Sequence, residues 1–154
     1  MLELNIPGRG QFNLHHLVLD FNGTIAFGGE LISAVGERIQ LLSREIEIHV
    51  ITADTNGSVV RQCEGLPVTV QILQSENHTD EKGEFVRGLD GVICMGNGAN
   101  DEAMFAESDL AIAIAGREGC ATTTLLKSDL VIESINDGLD LLLNPMRLIA
   151  TLRK

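Results

Sequence analysis

The chain has 154 residues, of which 44% are hydrophobic and 21% are charged, and this balance suits one domain, residues 1–154, around one buried core. A formal net charge of −11 and the lack of Trp and Tyr argue against partners such as nucleic acid or an anionic membrane surface. Since no apolar run approaches the roughly 20 residues of a membrane helix, and the first residues lack a signal-peptide layout, we expect a cytoplasmic protein.

Short apolar strands alternate with helical stretches along the chain, which is typical of an α/β fold with a parallel sheet and helices on both faces. An extended piece with a turn at residues 4–10 precedes the first core strand and is expected to lie at a sheet edge. The predicted strands are His16–Asp20, Ile46–Thr52, Val68–Leu73, Gly91–Gly96, Leu110–Ala115 and, at an edge, Leu130–Glu133. The predicted helices are Ser33–Arg44, Asn56–Cys63, Asp80–Leu89, Ala99–Glu107, Gly119–Lys127, Asp137–Leu143 and one that begins at Pro145 and runs through Leu152.

The first predicted core strand runs into the sequence Asp20-Phe21-Asn22-Gly23-Thr24, which puts a carboxylate where the backbone turns. An aspartate in this place can attack phosphorus and form an aspartyl-phosphate. The same residues are also common in ordinary turns, so the motif depends on partners elsewhere in the chain. Residues 26–31 follow directly, and Gly28-Gly29 suits the turn of a small hairpin above the carboxyl edge of the sheet.

The next two signals are a hydroxyl and an ammonium. Thr52 ends the second predicted strand, where it could donate to a phosphoryl oxygen or simply cap the turn that follows. Lys82, near the start of a helix, could neutralise negative charge during phosphoryl transfer. Lys127 is the competing lysine and ranks second, because it lies near the end of its predicted helix.

The fourth signal is Gly96-Asn97-Gly98-Ala99-Asn100-Asp101, where a strand runs into a glycine-rich turn and then a helix. Such a turn lets backbone approach an anion or a metal, and Asp101 adds a hard oxygen ligand. It is not a dinucleotide fingerprint, because the third glycine is missing.

The cysteines and histidines predict no further site. Cys63, Cys94 and Cys120 are odd in number and lack a CxxC pair, which argues against a disulfide framework and a zinc site. His15 and His16 should point to opposite faces of a strand, and His49 and His78 have no partner at ligand spacing, so we expect structural or solvated side chains.

The four motifs together resemble the haloacid-dehalogenase (HAD) superfamily of phosphohydrolases over about residues 17–132. Within it, residues 19–24, 51–54 and 96–101, followed by the run 103–113, are similar to the soluble relatives of the phosphorylation domain of P-type ATPases. The resemblance implies a three-layer Rossmann-like sheet ordered 5-4-1-2-3, a small hairpin in place of a cap domain, Mg²⁺ as cofactor and a small phosphorylated molecule as substrate.

The resemblance also implies a role for each matched residue. The catalytic set is Asp20 as nucleophile with Asn22, Thr52 and Lys82. Substrate binding falls to Thr52, Ala53, Lys82 and Asn100. The metal set is Asp20, the Asn22 carbonyl, Asn97 and Asp101.

Two asparagines depart from the commonest family pattern. Asn22 replaces an aspartate that would protonate the leaving group and activate water, which an amide cannot do, and such proton transfer is typically worth about 100 to 10,000-fold in rate. Asn97 replaces a metal-binding aspartate and offers an oxygen without charge. The sequence therefore predicts a slow phosphatase that prefers acyl or aryl phosphates.

Alternative functions remain open at this stage. One is a non-catalytic module that binds metal or phosphate and regulates a partner. Another is a phospho-acceptor domain of the receiver type, although a receiver would carry its lysine at the end of a late strand. The apolar stretch 141–149 could pack at an interface between copies of the chain, as in a homo-oligomer, or it could form a helix that closes the chain's own core.

Overall fold

The computed structural model describes residues 1–54 and 57–154. Its strands are β1 (Leu2–Ile6), β2 (Gly10–Leu14), β3 (His16–Asp20), β4 (Ala26–Phe27), β5 (Glu30–Leu31), β6 (Glu47–Thr52), β7 (Thr69–Ile72), β8 (Val92–Gly96), β9 (Leu110–Ile114) and β10 (Leu130–Ile132). Each of the six predicted core strands is present, with both ends within one residue of the prediction.

The helices are α1 (Val35–Leu42), α2 (Ser58–Gln62), α3 (His78–Arg87), α4 (Glu102–Glu107, after a 3₁₀ turn at Ala99–Asp101), α5 (Thr122–Leu125), α6 (Ile135–Leu143) and α7 (Pro145–Leu152). Two begin two residues earlier than predicted, because Asn77 accepts the backbone N–H of Asp80 and Ser134 accepts that of Asp137. The predicted helix from Gly119 shrinks to four residues. The start of the helix predicted from Asn56 lies outside the described residues.

The central sheet has six parallel strands in the order β10-β9-β8-β3-β6-β7. Counting the predicted strands along the chain, this is 6-5-4-1-2-3, so the expected order with a sixth strand at one edge is confirmed. Side chains alternate between two buried layers: Leu17 and Leu19 of β3 pack with α1, α6 and α7, whereas Val18 packs with α3 and α4. The three-layer α/β architecture is therefore the predicted one.

The N-terminal segment differs from the expectation of a piece at the sheet edge. β1 and β2 form an antiparallel hairpin of their own, separate from the six-stranded sheet. Leu4, Ile6 and Leu14 are buried in the same apolar cluster as Leu148 and Leu152 of α7. The hairpin thus covers a helical layer, because its apolar side chains alternate onto one face that needs burial.

The predicted hairpin after the first motif is present as β4 and β5, which pair antiparallel. Gly28 and Gly29 both have positive φ, +59° and +82°, as a two-residue type I′ turn requires. The hairpin follows the carboxyl end of β3, and no larger insertion separates it from α1. The described residues contain no helix that is long and apolar enough to cross a membrane.

The histidines depart from the sequence expectation at the opposite, amino-terminal edge of the sheet. His16 starts β3 and is the register partner of Glu47, which starts β6. His49 is two residues after Glu47 and so lies on the same face, and His16 Nδ1 is 3.0 Å from His49 Nε2. The expectation that His49 has no ligand-spaced partner is wrong, because the partner comes from the neighbouring strand.

Candidate active site

The predicted motifs meet at the carboxyl edge of the central sheet, where β3 ends at Asp20, β6 at Thr52 and β8 at Gly96. Parallel strands bring their ends to one edge, and ligands of open α/β sheets bind there. An open pocket of about 410 Å³ lies at this edge. It is lined by Asp20, Asn22, Thr52, Ala53, Lys82, Asn97, Gly98, Ala99 and Asn100.

Lys82 is the central cation of this edge. Its side chain is only 1% exposed, and its Nζ lies 2.8 Å from Asp20 Oδ1, 2.7 Å from Asp101 Oδ1 and 3.2 Å from Asn100 Oδ1. Helix α3 carries it to the strand ends. The competing lysine, Lys127, is exposed just after α5, so the structure places Lys82 and not Lys127 beside Asp20.

The two carboxylates and one ammonium leave an excess negative charge inside the protein. Burial and the nearby Asp101 charge raise the pKa of Asp20 to about 7, against the opposing effect of Lys82. Burial disfavours the charged form of Lys82, but the carboxylates of Asp20 and Asp101 outweigh it and raise the pKa of Lys82. The lysine therefore stays charged, and Asp20 is held near the point at which it gains or loses a proton.

Asp101 shapes the glycine-rich turn from within. It is fully buried, and its Oδ2 accepts the backbone N–H groups of Asn97 and Gly98, each at 3.0 Å. Gly96 makes room for this carboxylate, because a side-chain carbon there would collide with it. Three of the roughly four lone-pair positions of the Asp101 carboxylate thus accept hydrogen bonds from the protein, and the remaining one is on Oδ1.

Thr24 is a site residue that the sequence reasoning did not assign, although it belongs to the first motif. Its hydroxyl lies 3.1 Å from Asp20 Oδ2 and 3.2 Å from Asn97 Oδ1, and its side chain is buried. A hydroxyl carries one hydrogen, so only one of those oxygens receives it at a time. The sequence feature that could have identified Thr24 as a site residue is its position four residues after Asp20, in a turn that folds back over the strand end.

Asn97 is oriented by contacts on both sides of its amide. Its Nδ2 donates to the Gly119 carbonyl at 3.0 Å, which turns Oδ1 toward Thr24. Gly23 permits this approach: its φ is +80°, and a side-chain carbon there would collide with the Asn97 amide. Position 97 thus uses both ends of an amide: the NH₂ group donates to the Gly119 carbonyl, and the oxygen faces Thr24.

The remaining predicted residues line the pocket in different ways. Asn22 is exposed, in the turn that folds back on Ala26. Thr52 is buried and accepts the backbone N–H of Asp54 at 3.1 Å, so it does cap the following turn. Its hydroxyl hydrogen can still be donated into the pocket.

The donor set fits a hard divalent cation such as Mg²⁺. Asp20 offers a carboxylate, Asn97 a carboxamide oxygen and Asn22 a backbone carbonyl, all of the oxygen type that Mg²⁺ prefers. Thr24 cannot satisfy Asp20 Oδ2 and Asn97 Oδ1 together, which leaves an oxygen lone pair for another partner. The excess buried negative charge of Asp20 and Asp101 over Lys82 also favours a cation here.

Sequence relatives point in the same direction. No protein-family model matches the chain. It is 30% identical over 123 residues to a soluble P-type ATPase-like phosphatase of Methanocaldococcus jannaschii, across 77% of this chain and 45% of that relative. It is also 52% identical over 62 residues to an uncharacterized protein of the same organism, across 40% of this chain and 67% of that protein. The chain thus spans less than half the length of the phosphatase that it matches.

Solved structures with the same fold include several HAD hydrolases. One is a putative HAD superfamily (subfamily III A) hydrolase from Legionella pneumophila, with a TM-score of 0.72, 17% identity and coverage of 90% of this chain and 87% of that one. Another is 3-deoxy-D-manno-octulosonate 8-phosphate phosphatase from Moraxella catarrhalis, in complex with magnesium, phosphate and KDO, with a TM-score of 0.68, 18% identity and coverage of 91% and 94%.

The sheet order, the four motifs at its carboxyl edge and the similarity to a soluble P-type ATPase-like phosphatase agree with one another. The chain thus has the fold of haloacid-dehalogenase hydrolases, and 77% of it is similar in sequence to a soluble P-type ATPase-like phosphatase.

Proposed function

We propose that the chain is a magnesium-dependent phosphohydrolase that acts through an aspartyl-phosphate on a small phosphorylated molecule. The observation that carries the proposal is the contact of Asp20, at the end of the central strand, with the buried ammonium of Lys82 at 2.8 Å. The contact supports the proposal because it would bring a nucleophile and a positive charge together at one wall of the pocket. The phosphatase activity of the relatives named above is consistent with this chemistry.

In the first step an Asp20 oxygen forms a bond to phosphorus while the bond from phosphorus to the leaving-group oxygen breaks, and that oxygen keeps the electron pair. Lys82 offsets the negative charge on the phosphoryl group, and Thr52 can donate its hydroxyl hydrogen to a phosphoryl oxygen. In the second step a water oxygen forms a bond to phosphorus while the bond from phosphorus to the Asp20 oxygen breaks. Asp20 leaves as a carboxylate with the electron pair, and the protons of the water stay on the inorganic phosphate or pass to solvent.

Mg²⁺ would be held by Asp20, the Asn22 carbonyl and Asn97, and when bound it would neutralise phosphoryl charge. The resemblance implied that Asp101 is a direct metal ligand, whereas in this proposal Asp101 positions other groups of the site. Its oxygens hold Lys82 and the backbone of the 97–98 turn in place.

Asn22 is an amide, so position 22 supplies neither an acid that protonates the leaving group nor a base that activates the attacking water. We therefore expect slow turnover with simple alkyl phosphates and faster turnover with acyl or aryl phosphates, whose leaving groups need no proton. A mostly apolar pocket borders Gly23 and Thr24 and is lined in part by Phe27, Ile32 and Ile114. It could accept an aromatic leaving group.

The experiment is to incubate the protein with Mg²⁺ and acetyl phosphate, then search by mass spectrometry for a phosphoryl adduct on Asp20. Asp20→Asn should give no adduct, and Lys82→Met should reduce it at least about 100-fold, whereas Lys127→Met should match the wild type. An absence of both adduct and turnover in the wild type would overturn the enzymatic proposal.

The two asparagines also suit a second function, a catalytically weak module that binds metal or phosphate and regulates a partner. The same experiment separates the two. Retained Mg²⁺ or phosphate binding without adduct or turnover would favour the regulatory module.

A further inference from the structure

The second cluster of ligand-type side chains in the described residues lies at the amino-terminal edge of the sheet. It consists of His16, Glu47 and His49, whose ligand atoms all lie within 4.8 Å of one another. His16 and Asp20 are the two ends of β3, so about 13 Å of strand separates this cluster from the candidate active site. The cluster is therefore independent of the phosphoryl chemistry proposed above.

We propose that His16, Glu47 and His49 form a binding site for a borderline divalent transition-metal ion of the Zn²⁺ class. Two imidazoles and one carboxylate are a ligand set that zinc uses when a fourth position is left to water or another ligand. Mg²⁺, which demands oxygen ligands, is a poor match for this set. The site differs in that respect from the all-oxygen set around Asp20.

Two of the three distances within the cluster suit a tetrahedral ion, and the third, between the ligand atoms of Glu47 and His49, is within 4.8 Å. His16 Nδ1 lies 3.0 Å from His49 Nε2 and 3.3 Å from Glu47 Oε2. Zinc ligands at about 2.0–2.1 Å in tetrahedral geometry are separated from one another by roughly 3.3 Å. Since the two imidazole nitrogens face each other, they cannot both carry a hydrogen, and at least one presents a lone pair.

The backbone holds these three side chains together before any ion binds. His16 and Glu47 are register partners on adjacent parallel strands, and His49 is two residues further along β6 on the same face. His49 is buried, and its ring packs edge-on against Phe85 of α3, with 5.4 Å between ring centres.

The cluster is also accessible. His16 is partly exposed, the Glu47 side chain is 63% exposed, and both line an open pocket with His15, Arg44 and Asp90. An ion can enter from this side, and the fourth coordination position can be filled by water. Glu47 can swing onto the ion at little cost because it extends into solvent.

The test is calorimetric titration of Zn²⁺ into the full chain, with Mg²⁺ present in excess to occupy the oxygen ligands near Asp20. We expect one Zn²⁺ per chain, with affinity at least about tenfold weaker in His16→Asn, in His49→Gln and in Glu47→Gln. His15→Asn is the matched control, since its exposed ring lies outside the cluster, and Asp20→Asn is the control for the other edge; both should bind zinc as the wild type does. Circular dichroism establishes whether each variant is folded. If the buried His49→Gln variant does not fold, Glu47→Gln still tests the site, because Glu47 is exposed.

X-ray absorption of the zinc-loaded protein supplies the second readout. Two imidazoles in the first coordination sphere of the zinc would support the site. The proposal is overturned if the wild type binds no zinc under these conditions, or if the three cluster variants bind it as well as His15→Asn does. Loss of zinc binding in Asp20→Asn alone would assign the ion to the other edge and would equally overturn it.

Discussion

Asp101 Oδ1 lies 2.7 Å from the Lys82 ammonium, while Asp101 Oδ2 accepts two backbone N–H groups of the glycine-rich turn. One buried carboxylate thus connects the cation of the site to the loop that shapes it. Lys82 in turn reaches Asp20 on the central strand. Three motifs that are far apart in sequence are joined through a single chain of charge-assisted hydrogen bonds, which are the stronger kind.

The first prediction concerns this connection. Asp101→Asn keeps the shape of the side chain but supplies one oxygen where two are used, so its NH₂ group must face either Lys82 or the backbone N–H groups. Leaving buried donors without an acceptor should lower the free energy of unfolding by about 2 kcal/mol. Urea denaturation measures the change. Glu84→Gln, an exposed substitution on the same helix as Lys82, should leave the midpoint where it is, and a wild-type midpoint for Asp101→Asn would contradict the prediction.

The second prediction concerns pH. The pKa of Asp20 is about 7 in the folded protein against an ordinary value of 3.8, so between about pH 4 and pH 7 the folded chain binds a proton that the unfolded chain has released. The contribution of Asp20 to stability must therefore fall as pH rises through that window. Asp20→Asn removes the titrating group and should gain stability relative to wild type as pH rises from 5 to 8. Urea midpoints at each pH check this, and parallel curves for the two proteins would contradict it.

A cation should change the same titration. Mg²⁺ next to Asp20 favours the ionised carboxylate, so it should move the Asp20 midpoint below its metal-free value near pH 7. Carbon-13 NMR of labelled aspartate follows the carboxyl directly. Asn97→Ala, which removes a proposed oxygen ligand, should need a higher Mg²⁺ concentration to produce the shift. An Asp20 midpoint indifferent to Mg²⁺ would place the ion elsewhere.

The strands and the turns of the four motifs were predictable because periodic apolar runs and turn residues are local signals. The strand order and the role of Lys82 beside Asp20 were expected from the resemblance to haloacid-dehalogenase phosphohydrolases. Long-range contacts were not: Thr24 between Asp20 and Asn97, or the Asn97 amide on Gly119, depend on how loops fold back on strand ends. The His16–His49 contact was missed because metal-ligand spacing was sought within single segments, whereas parallel pairing supplies it from two strands.

The N-terminal hairpin was misplaced for a related reason. Its alternating pattern correctly indicates extended structure with one apolar face. The pattern carries no information on which layer that face meets, and the answer depends on α7, at the other end of the chain. Arg9 completes this docking by donating to the Leu152 carbonyl at 2.9 Å and to Asp129 at 3.1 Å.

The fourth prediction tests why position 97 holds an amide. In Asn97→Asp the group that donates to the Gly119 carbonyl becomes an acceptor, so a carboxylate oxygen would face a carbonyl oxygen. The variant should be less stable than wild type without metal and should regain stability on adding Mg²⁺, which it should bind more tightly because its ligand is charged. Thermal unfolding with and without Mg²⁺ measures both effects. Equal metal stabilisation of the two proteins would show that residue 97 does not hold the ion.

The last prediction concerns the amide at position 22. Asn22 is exposed at the pocket, so Asn22→Asp should fold like the wild type while supplying a carboxyl that can protonate a leaving group and then activate water. General acid–base catalysis of this kind is worth about 100 to 10,000-fold, and we expect turnover of an alkyl phosphate to rise within that range. With acetyl phosphate the rate of the first step should rise less, because its leaving group needs no proton.

The two chemical steps can be separated in the same variant. Phosphate release after a burst reports hydrolysis of the aspartyl-phosphate, and trapped adduct reports its formation. In Asn22→Asp the adduct should become short-lived, whereas in Asn22→Gln, an amide of similar polarity, it should decay at the rate found for the wild type, which we propose to be slow. If the adduct forms in Asn22→Asp but decays no faster than in Asn22→Gln, water activation does not limit the rate of hydrolysis. That result would contradict the prediction and would direct attention to the positioning of Asp20, Lys82 and the cation.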